Sequence, residues 1–206
     1  MFTGIVRAVG EITAAEPIDK HDPDAGLRLT IDAGDFVLDE VQEGDSIAIQ
    51  GACMTVLNHD GQTFQVDISR ESLSCTVGLD SLGPVNLEGA MRLGDTLDGH
   101  VVLGHVDGVG KITRFEPVGE SFLLAVLAPR DCAKYLAFKG SITINGVSLT
   151  INSVTDKEDG CEVEINLIPH TVAATTFQYA EPGQRVNIEV DMMARYVARM
   201  LSQLET

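Results

Sequence analysis

The chain carries one pattern twice. Residues 46–56 read SIAIQGACMTV and residues 141–151 read SITINGVSLTI, eleven consecutive positions that pair at a constant spacing of 95 with conservative changes. GIVRAVGEI at 4–12 returns as GHVDGVGKI at 104–112, and VNLE at 85–88 returns as VNIE at 186–189. Three matches in one order and at nearly one spacing mark a duplication, and a unit this long is a small domain rather than a solenoid repeat. The expectation is two tandem copies of one fold, residues 1–97 and 98–189, followed by a tail at 190–206. Function then lies in what the copies share and in where they part.

Within each copy, apolar and polar residues alternate over short runs: Leu27, Leu29 and Ile31; Ile47 and Ile49; Phe64, Val66 and Ile68; Val163, Ile165 and Leu167. Such period-two runs, punctuated by HDG, PDAG, EDG and EPG, predict short antiparallel strands. Roughly half a dozen strands per copy are too many for an open sheet of that length to protect its edges, so an all-β fold of two closed Greek-key barrels is expected. Short helical turns are expected at 33–40 and 129–137, and the glycine-rich VDGVGK run reads as a turn. The tail differs from the barrels. Asp191 is placed to cap a helix whose Met193, Tyr196, Val197, Met200, Leu201 and Leu204 share one face. That face either docks on its own barrel or builds an oligomer.

A formal net charge of −17 repels phosphate backbones and anionic lipid, which argues against nucleic-acid and membrane partners. No apolar run reaches the length of a membrane span, and MFTGIVRAVGEI has no signal-like character, so a cytoplasmic location is expected. Cys53, Cys75, Cys132 and Cys161 show neither CxxC spacing nor a histidine partner, so no metal site and no redox pair is expected, and buried thiols are the default except at Cys53.

Cys53 and Thr55 stand two apart, as do Ser148 and Thr150. On a strand such residues share one face, while Met54 and Leu149 point to the other. Each copy therefore offers a ladder of small hydrogen-bonding side chains, and Gly51 and Gly146 just before it would let a ligand approach the backbone. A ring heterocycle rich in carbonyls and ring nitrogens suits such a ladder. The copies differ where chemistry would need them to: Cys53 becomes Ser148, and Ile5 becomes His105. Two bound molecules that react with each other need unequal partners, and one histidine breaks the symmetry near neutral pH. His100 and His105, five apart on a presumed strand, would face opposite ways and not share a metal.

The MFTGIV start, the GACMTV and GVSLTI strands, GHVVLGHVDG, LIPHT and the paired VNxE strand ends together resemble the riboflavin synthase family of the alpha-chain type, over residues 1 to about 200. The resemblance implies two six-stranded Greek-key barrels with a C-terminal helix, a homotrimer, no cofactor, and a dismutation of two 6,7-dimethyl-8-ribityllumazine molecules. Carried over by position, the first lumazine site comprises Gly4, Ile5 and Val6; Cys53, Met54 and Thr55; and Asp67, Ile68, Ser69, Arg70, Glu71 and Ser72. The second comprises Gly104, His105 and Val106; Lys139; Ser148, Leu149 and Thr150; and Asn166, Leu167, Ile168, Pro169, His170 and Thr171. Asn145 stands where the family would have aspartate, and His170 where its second barrel often has glutamate. Proton transfer is expected of Cys53, Ser148, Thr150 and His105, and Phe2 is expected to close over a bound ring. The alternative is a non-catalytic lumazine- or flavin-binding protein of the antenna type.

Overall fold

The structure, a computed structural model, describes residues 1–22 and 25–204. Of the expected turns, HDG, EDG and EPG each lie just before a strand. PDAG includes Pro23 and Asp24, which lie outside the described residues.

In the first copy β1 (Ala8–Pro17), β2 (Leu27–Asp32), β3 (Ser46–Ile49), β4 (Ala52–His59), β5 (Thr63–Ile68) and β6 (Gly83–Gly89) form a closed barrel in the order β1-β2-β5-β4-β3-β6. The second copy contributes β7 (Gly108–Val118), β8 (Ser121–Pro129), β9 (Ser141–Ile144), β10 (Val147–Thr150), β11 (Ser153–Lys157), β12 (Gly160–Leu167) and β13 (Arg185–Val190), in the order β10-β9-β13-β7-β8-β12-β11. The cycle is the same, opened at one point. The run that corresponds to β4 is divided into β10 and β11 at Ile151 and Asn152, where Asn152 N–H still bonds the β12 carbonyl of Glu164 at 2.8 Å. The first barrel shows a milder form of this break, a register shift between Val56 and Asn58. Both copies also slip register at the matched Thr13 and Thr113. VDGVGK is not a free turn: β7 begins inside it, and a Cβ at Gly110 would come within 2.4 Å of the Ile188 side chain.

Each barrel has its own core. Leu29, Ile31, Phe64 and Val66 fill the first, and Leu124, Val126, Val163 and Ile165 the second, all at most 1% exposed. The alternation that predicted strands is therefore the alternation that packs them, and each such side chain contributes roughly 1.5–3 kcal/mol through burial. Short helices α1 (Arg70–Cys75) and α2 (Pro169–Ala173) follow β5 and β12 at matched places. The expected helical turn near 129–137 is a 3-10 helix, Arg130–Tyr135, whereas 33–40 holds only turns.

The barrels meet through their matched hairpins. Gln50-Gly51 and Asn145-Gly146 turn with positive φ at all four residues (50° and 87°; 50° and 81°), the geometry of two-residue hairpins whose twist matches that of their strands. The two glycines abut: a Cβ at Gly51 would lie 2.7 Å from Gly146 N, and one at Gly146 2.9 Å from Gly51 N. Their lack of a side chain thus serves the contact between barrels rather than a ligand, which corrects the expectation. Around them the Asn86 amide donates to Asn145 O at 2.8 Å and the Asn187 amide to Gln50 O at 3.0 Å. Gln50 Oε1 and Asn145 Oδ1 accept the Asn86 and Asn187 backbone N–H groups. Asn145 therefore needs only an acceptor, which an amide supplies as well as a carboxylate.

Candidate ligand site

Both ladders stand as expected. Cys53, Thr55 and Thr150 are exposed and Ser148 half-buried, while Met54 and Leu149 turn into the cores at 5% and 8% exposure. Ile68 and Leu167 are core residues too, at 1%. These four offer a ligand backbone rather than side chain.

The segments that precede the barrels are exchanged between them. Phe2 and Val102 pair antiparallel, with N–H to O distances of 2.7 and 3.0 Å. Gly4 O then accepts the N–H of Ser148 at 2.7 Å, and Gly104 O accepts that of Cys53 at 2.9 Å. Val6 packs on the second core and Val106 on the first. The carry-over by sequence order is corrected accordingly: Gly4, Ile5 and Val6 belong with Ser148, and Gly104, His105 and Val106 with Cys53. The reason is visible in two buried carboxylates. Glu88 accepts from Thr3 N, Thr3 Oγ1 and Gly4 N at 2.7, 2.7 and 2.9 Å. Glu189 accepts from the N–H groups of Leu103, Gly104 and His105 at 2.7, 2.9 and 3.0 Å. Each anchors its segment on the last strand of its own barrel, and from there the backbone reaches the ladder of the other. Burial pushes both carboxyls above their ordinary range, and the amides aimed at them pull the other way.

On the first barrel this produces a cavity of about 440 Å³ lined by Cys53, Met54, Thr55, Asp67, Ile68, Ser69, Glu71, Ser72 and Cys75, with Gly104, His105 and Val106 on the other side. Ser69 caps α1 by accepting from Ser72 N at 3.1 Å, which aims that short helix at the cavity. Asp67 is held by Nε and Nη2 of Arg28 at 2.8 and 2.9 Å. Arg70 opens α1 and does not line the cavity. Cys75 is exposed, against the expectation of a buried thiol; Cys132 and Cys161 are buried.

On the second barrel Ser148 has a partner that Cys53 lacks. His100 Nδ1 lies 2.7 Å from Ser148 Oγ, and its Nε2 lies 3.2 Å from Thr143 Oγ1. Thr143 pairs with Ser148 across the β9–β10 hairpin, where the first barrel pairs Ala48 with Cys53. Burial lowers the pKa of His100, and Asp191 opposes that shift. The ring is thus favoured neutral, with one donor and one acceptor nitrogen set between two hydroxyls. Residues 100–107 form no regular strand, so alternation along a strand does not place His100. The hairpin offered a usable signal, since Asn-Gly at 145–146 fixes Thr143 opposite Ser148.

The other predicted residues of the second site surround this group less closely. Asn166 Oδ1 accepts from Ser121 Oγ at 2.6 Å, and Lys139, at φ 62°, donates to Asn152 Oδ1 at 3.0 Å. Ile168 caps α2, Pro169 and His170 open it, and Thr171 is half-buried within it. Phe2 does not lie over a site. It is fully buried, packed with Ala48 and Val102, and pins the crossing of the two segments. Among the described residues no three of His, Cys, Asp and Glu are grouped to hold a metal.

The tail forms α3 (Met192–Ser202), capped by Asp191 Oδ1 accepting from Met193 N at 2.9 Å. Its apolar residues Met193, Tyr196, Val197, Met200 and Leu201 are 53–70% exposed, and Leu204 just beyond is 82% exposed. In the single chain that face is not packed on its own barrel. No helix of the described residues is long and apolar enough to cross a membrane.

Comparison with known proteins agrees with this geometry. A lumazine-binding domain model matches twice, at residues 3–90 and 103–191. Riboflavin synthase of Mycobacterium tuberculosis is 42% identical over 206 residues, covering 98% of each chain. The Photobacterium phosphoreum enzyme is 41% identical over 98% of this chain and 89% of its own, and that of Bacillus subtilis 39% over 98% and 90%. Among solved structures, LumP complexed with 6,7-dimethyl-8-(1'-D-ribityl) lumazine superposes with a TM-score of 0.78 at 26% identity, over 92% of this chain and 99% of that one. With its doubled lumazine-binding domain and relatives matched end to end, this chain belongs to the riboflavin synthase family of enzymes.

Proposed function

We propose that the protein is a riboflavin synthase, a transferase that dismutates two molecules of 6,7-dimethyl-8-ribityllumazine. A four-carbon unit passes from one to the other, giving riboflavin and 5-amino-6-ribitylaminouracil. The observation that carries the reading is the pair of matched but unequal ladders, Cys53-x-Thr55 beside His105 and Ser148-x-Thr150 beside His100. The substrate's own ring delocalises the carbanion left when its methyl group loses a proton. The protein's work is to stack two rings and move protons. Ser148, held by His100, is placed to take up or deliver a proton or to hold a nucleophilic water. Cys53, Thr55, Thr150 and His105 orient the rings, and the exposed backbone of Gly104 to Val106 and of Gly4 to Val6 pairs with their edges. No metal or cofactor enters these steps.

The reacting pair lies between the first barrel of one subunit and the second barrel of another in a cytoplasmic homotrimer, with residues 1–97 and 98–189 as the two binding units and 190–206 as the assembly element. The bare face of α3 supports this. Val197→Asp together with Met200→Glu should yield monomers by light scattering and abolish turnover. Monomers with full activity would refute the placement of the site between subunits, and persisting trimers would refute the role of this face in assembly.

The likeness to LumP favours a second reading, a non-catalytic lumazine carrier. One experiment separates the two. Purified protein, chelator and the lumazine alone should give riboflavin absorbance; a bound lumazine that never converts would establish the carrier.

A further inference from the structure

The segment that brings His105 to the first-barrel cavity is held at its far end by the C-terminal helix. Asp107 ends that segment. Its side chain is only 14% exposed and meets the Arg195 guanidinium of α3 twice, Nη1 to Oδ1 at 2.7 Å and Nη2 to Oδ2 at 2.8 Å. The same Oδ2 accepts from Val190 N at 2.8 Å, one residue before the α3 cap, and Asp107 N donates to Ile188 O at 2.7 Å. A bidentate guanidinium–carboxylate contact fixes orientation as well as distance. Between this clamp and Glu189, which holds the N–H groups of Leu103, Gly104 and His105, the backbone from 103 to 107 has little freedom.

The first copy has no such clamp. Arg7 occupies the place of Asp107 and is exposed, and the strand end that corresponds to Val190 is Gly89, which leads into an irregular linker rather than a helix. Residues 4–6, which serve Ser148, are therefore held by Glu88 and by the Arg7 N–H bond to Leu87 O at 2.8 Å, with no side-chain clamp at their far end.

We propose that Arg195 is a positioning residue for the first-barrel cavity: by clamping Asp107 it links the placement of α3 to the placement of His105 and of the Gly104 carbonyl that meets Cys53. Helix and cavity are thereby coupled, so a displacement of α3 on assembly is passed to the ligand site of the first barrel and not to that of the second. The coupling rests on the reading of that cavity as a lumazine site; the clamp itself does not.

Hydrogen exchange on the full-length protein tests it without ligand. Arg195→Ala should speed exchange at the Gly104, His105 and Val106 amides by roughly tenfold, as expected when a partly exposed charge-assisted pair is lost, and leave Gly4, Ile5 and Val6 unchanged. Arg195→Lys, which keeps the charge but not the two-point fork, should recover only part of the protection, and Asp107→Asn should match Arg195→Ala with no further loosening in the double variant. Lumazine titration of Arg195→Ala should show one weakened site and one unaltered. Unchanged exchange at 104–106, equal loosening of 4–6, or a lysine variant as loose as the alanine would overturn the clamp. Loosening at 104–106 with both lumazine sites intact would uphold the clamp and refute the cavity as a ligand site.

Discussion

On the β3–β4 hairpin Cys53 faces Ala48, with a histidine from the crossing segment across the cavity; on the β9–β10 hairpin Ser148 faces Thr143, with a histidine bonded to both. Everything that builds these two places is duplicated: the hairpins, the abutting glycines, the buried glutamates and the exchanged segments. Apart from the clamp on Asp107, the contrast lies in the groups that can carry protons. The difference teaches that one duplicated scaffold holds unequal side chains at matched places, which is the inequality the proposed reaction requires. Ala48 of the first hairpin is matched by Thr143 and Cys53 by Ser148, and His100 lies between the two hydroxyls of the second.

The comparison breaks most readily by mutation of those groups. Ser148→Ala and His100→Ala should each lower turnover by about a hundredfold or more, the range of a lost general acid or base. The double variant should be little worse than either alone, because the two act as one unit. Cys53→Ser, which gives the first ladder the second's side chain without its histidine, should cost clearly less. Steady-state turnover of the four variants decides the matter, and equal losses for Cys53→Ser and Ser148→Ala would end the claim of inequality.

Two glycines sharpen the comparison at the next level. At Gly104 (φ 76°) a Cβ would meet the Cys53 side chain at 2.7 Å, and at Gly4 (φ 77°) it would meet that of Ser148 at 2.6 Å. Alanine at either place is strained by roughly 1–3 kcal/mol, about a tenfold weakening of whichever site it opens. Gly104→Ala should therefore weaken the Cys53 site and Gly4→Ala the Ser148 site, crosswise to sequence order. Lumazine titration of both variants checks the crossing, and an effect of Gly4→Ala on the Cys53 site would reverse it.

That crossing marks where sequence legibility ended. The duplication, the period-two runs and the Asp191 cap carried the barrels and the tail helix, because they are local signals or internal comparisons. The face of each ladder was legible for the same reason, with Met54 and Leu149 inward and their neighbours outward. The pairing of Gly4 with Ser148 was not, since two copies of equal sequence give no sign of whether a connecting segment serves its own barrel or the other. Gly51 and Gly146 were misread on similar grounds: a glycine announces a close approach and says nothing of what approaches. Phe2 was misread because an aromatic residue beside a ligand motif looks the same whether it covers the ligand or locks the chain behind it. His100 was missed for a plainer reason, that parity counting applies only to a regular strand.

The buried imidazole also sets a pH dependence at the second half-site. Because burial lowers the pKa of His100 below its ordinary 6.5, the unfolded chain takes up this proton at higher pH than the folded one. The contribution of the neutral ring to stability is thus present above that value and lost as pH falls through the folded pKa. Turnover should follow it, flat near neutrality and falling only below pH 6.5, with a limb that His100→Gln removes and His105→Gln leaves in place. A limb that survived His100→Gln would assign it to another group.

The smallest effect separates the half-sites by thiol chemistry. Cys132 is buried and its pKa is pushed up to about 11 by that burial and by Asp107, and Cys161 is buried and raised as well, so neither presents a thiolate near neutral pH. Cys53 and Cys75 are exposed and line one cavity. Iodoacetamide should therefore label these two in the native protein and the other two only after unfolding, since access and thiolate character set the rate. Saturating lumazine should protect both Cys53 and Cys75, whereas the ladder of the second barrel, with Ser148 at the matched position, carries no thiol to label. Protein carrying both labels should retain one lumazine site of two, counted by titration. Two sites remaining after full labelling would show that the cavity beside Cys53 is not where the first ligand binds, and the chemical contrast between the ladders would then have no bearing on the reaction.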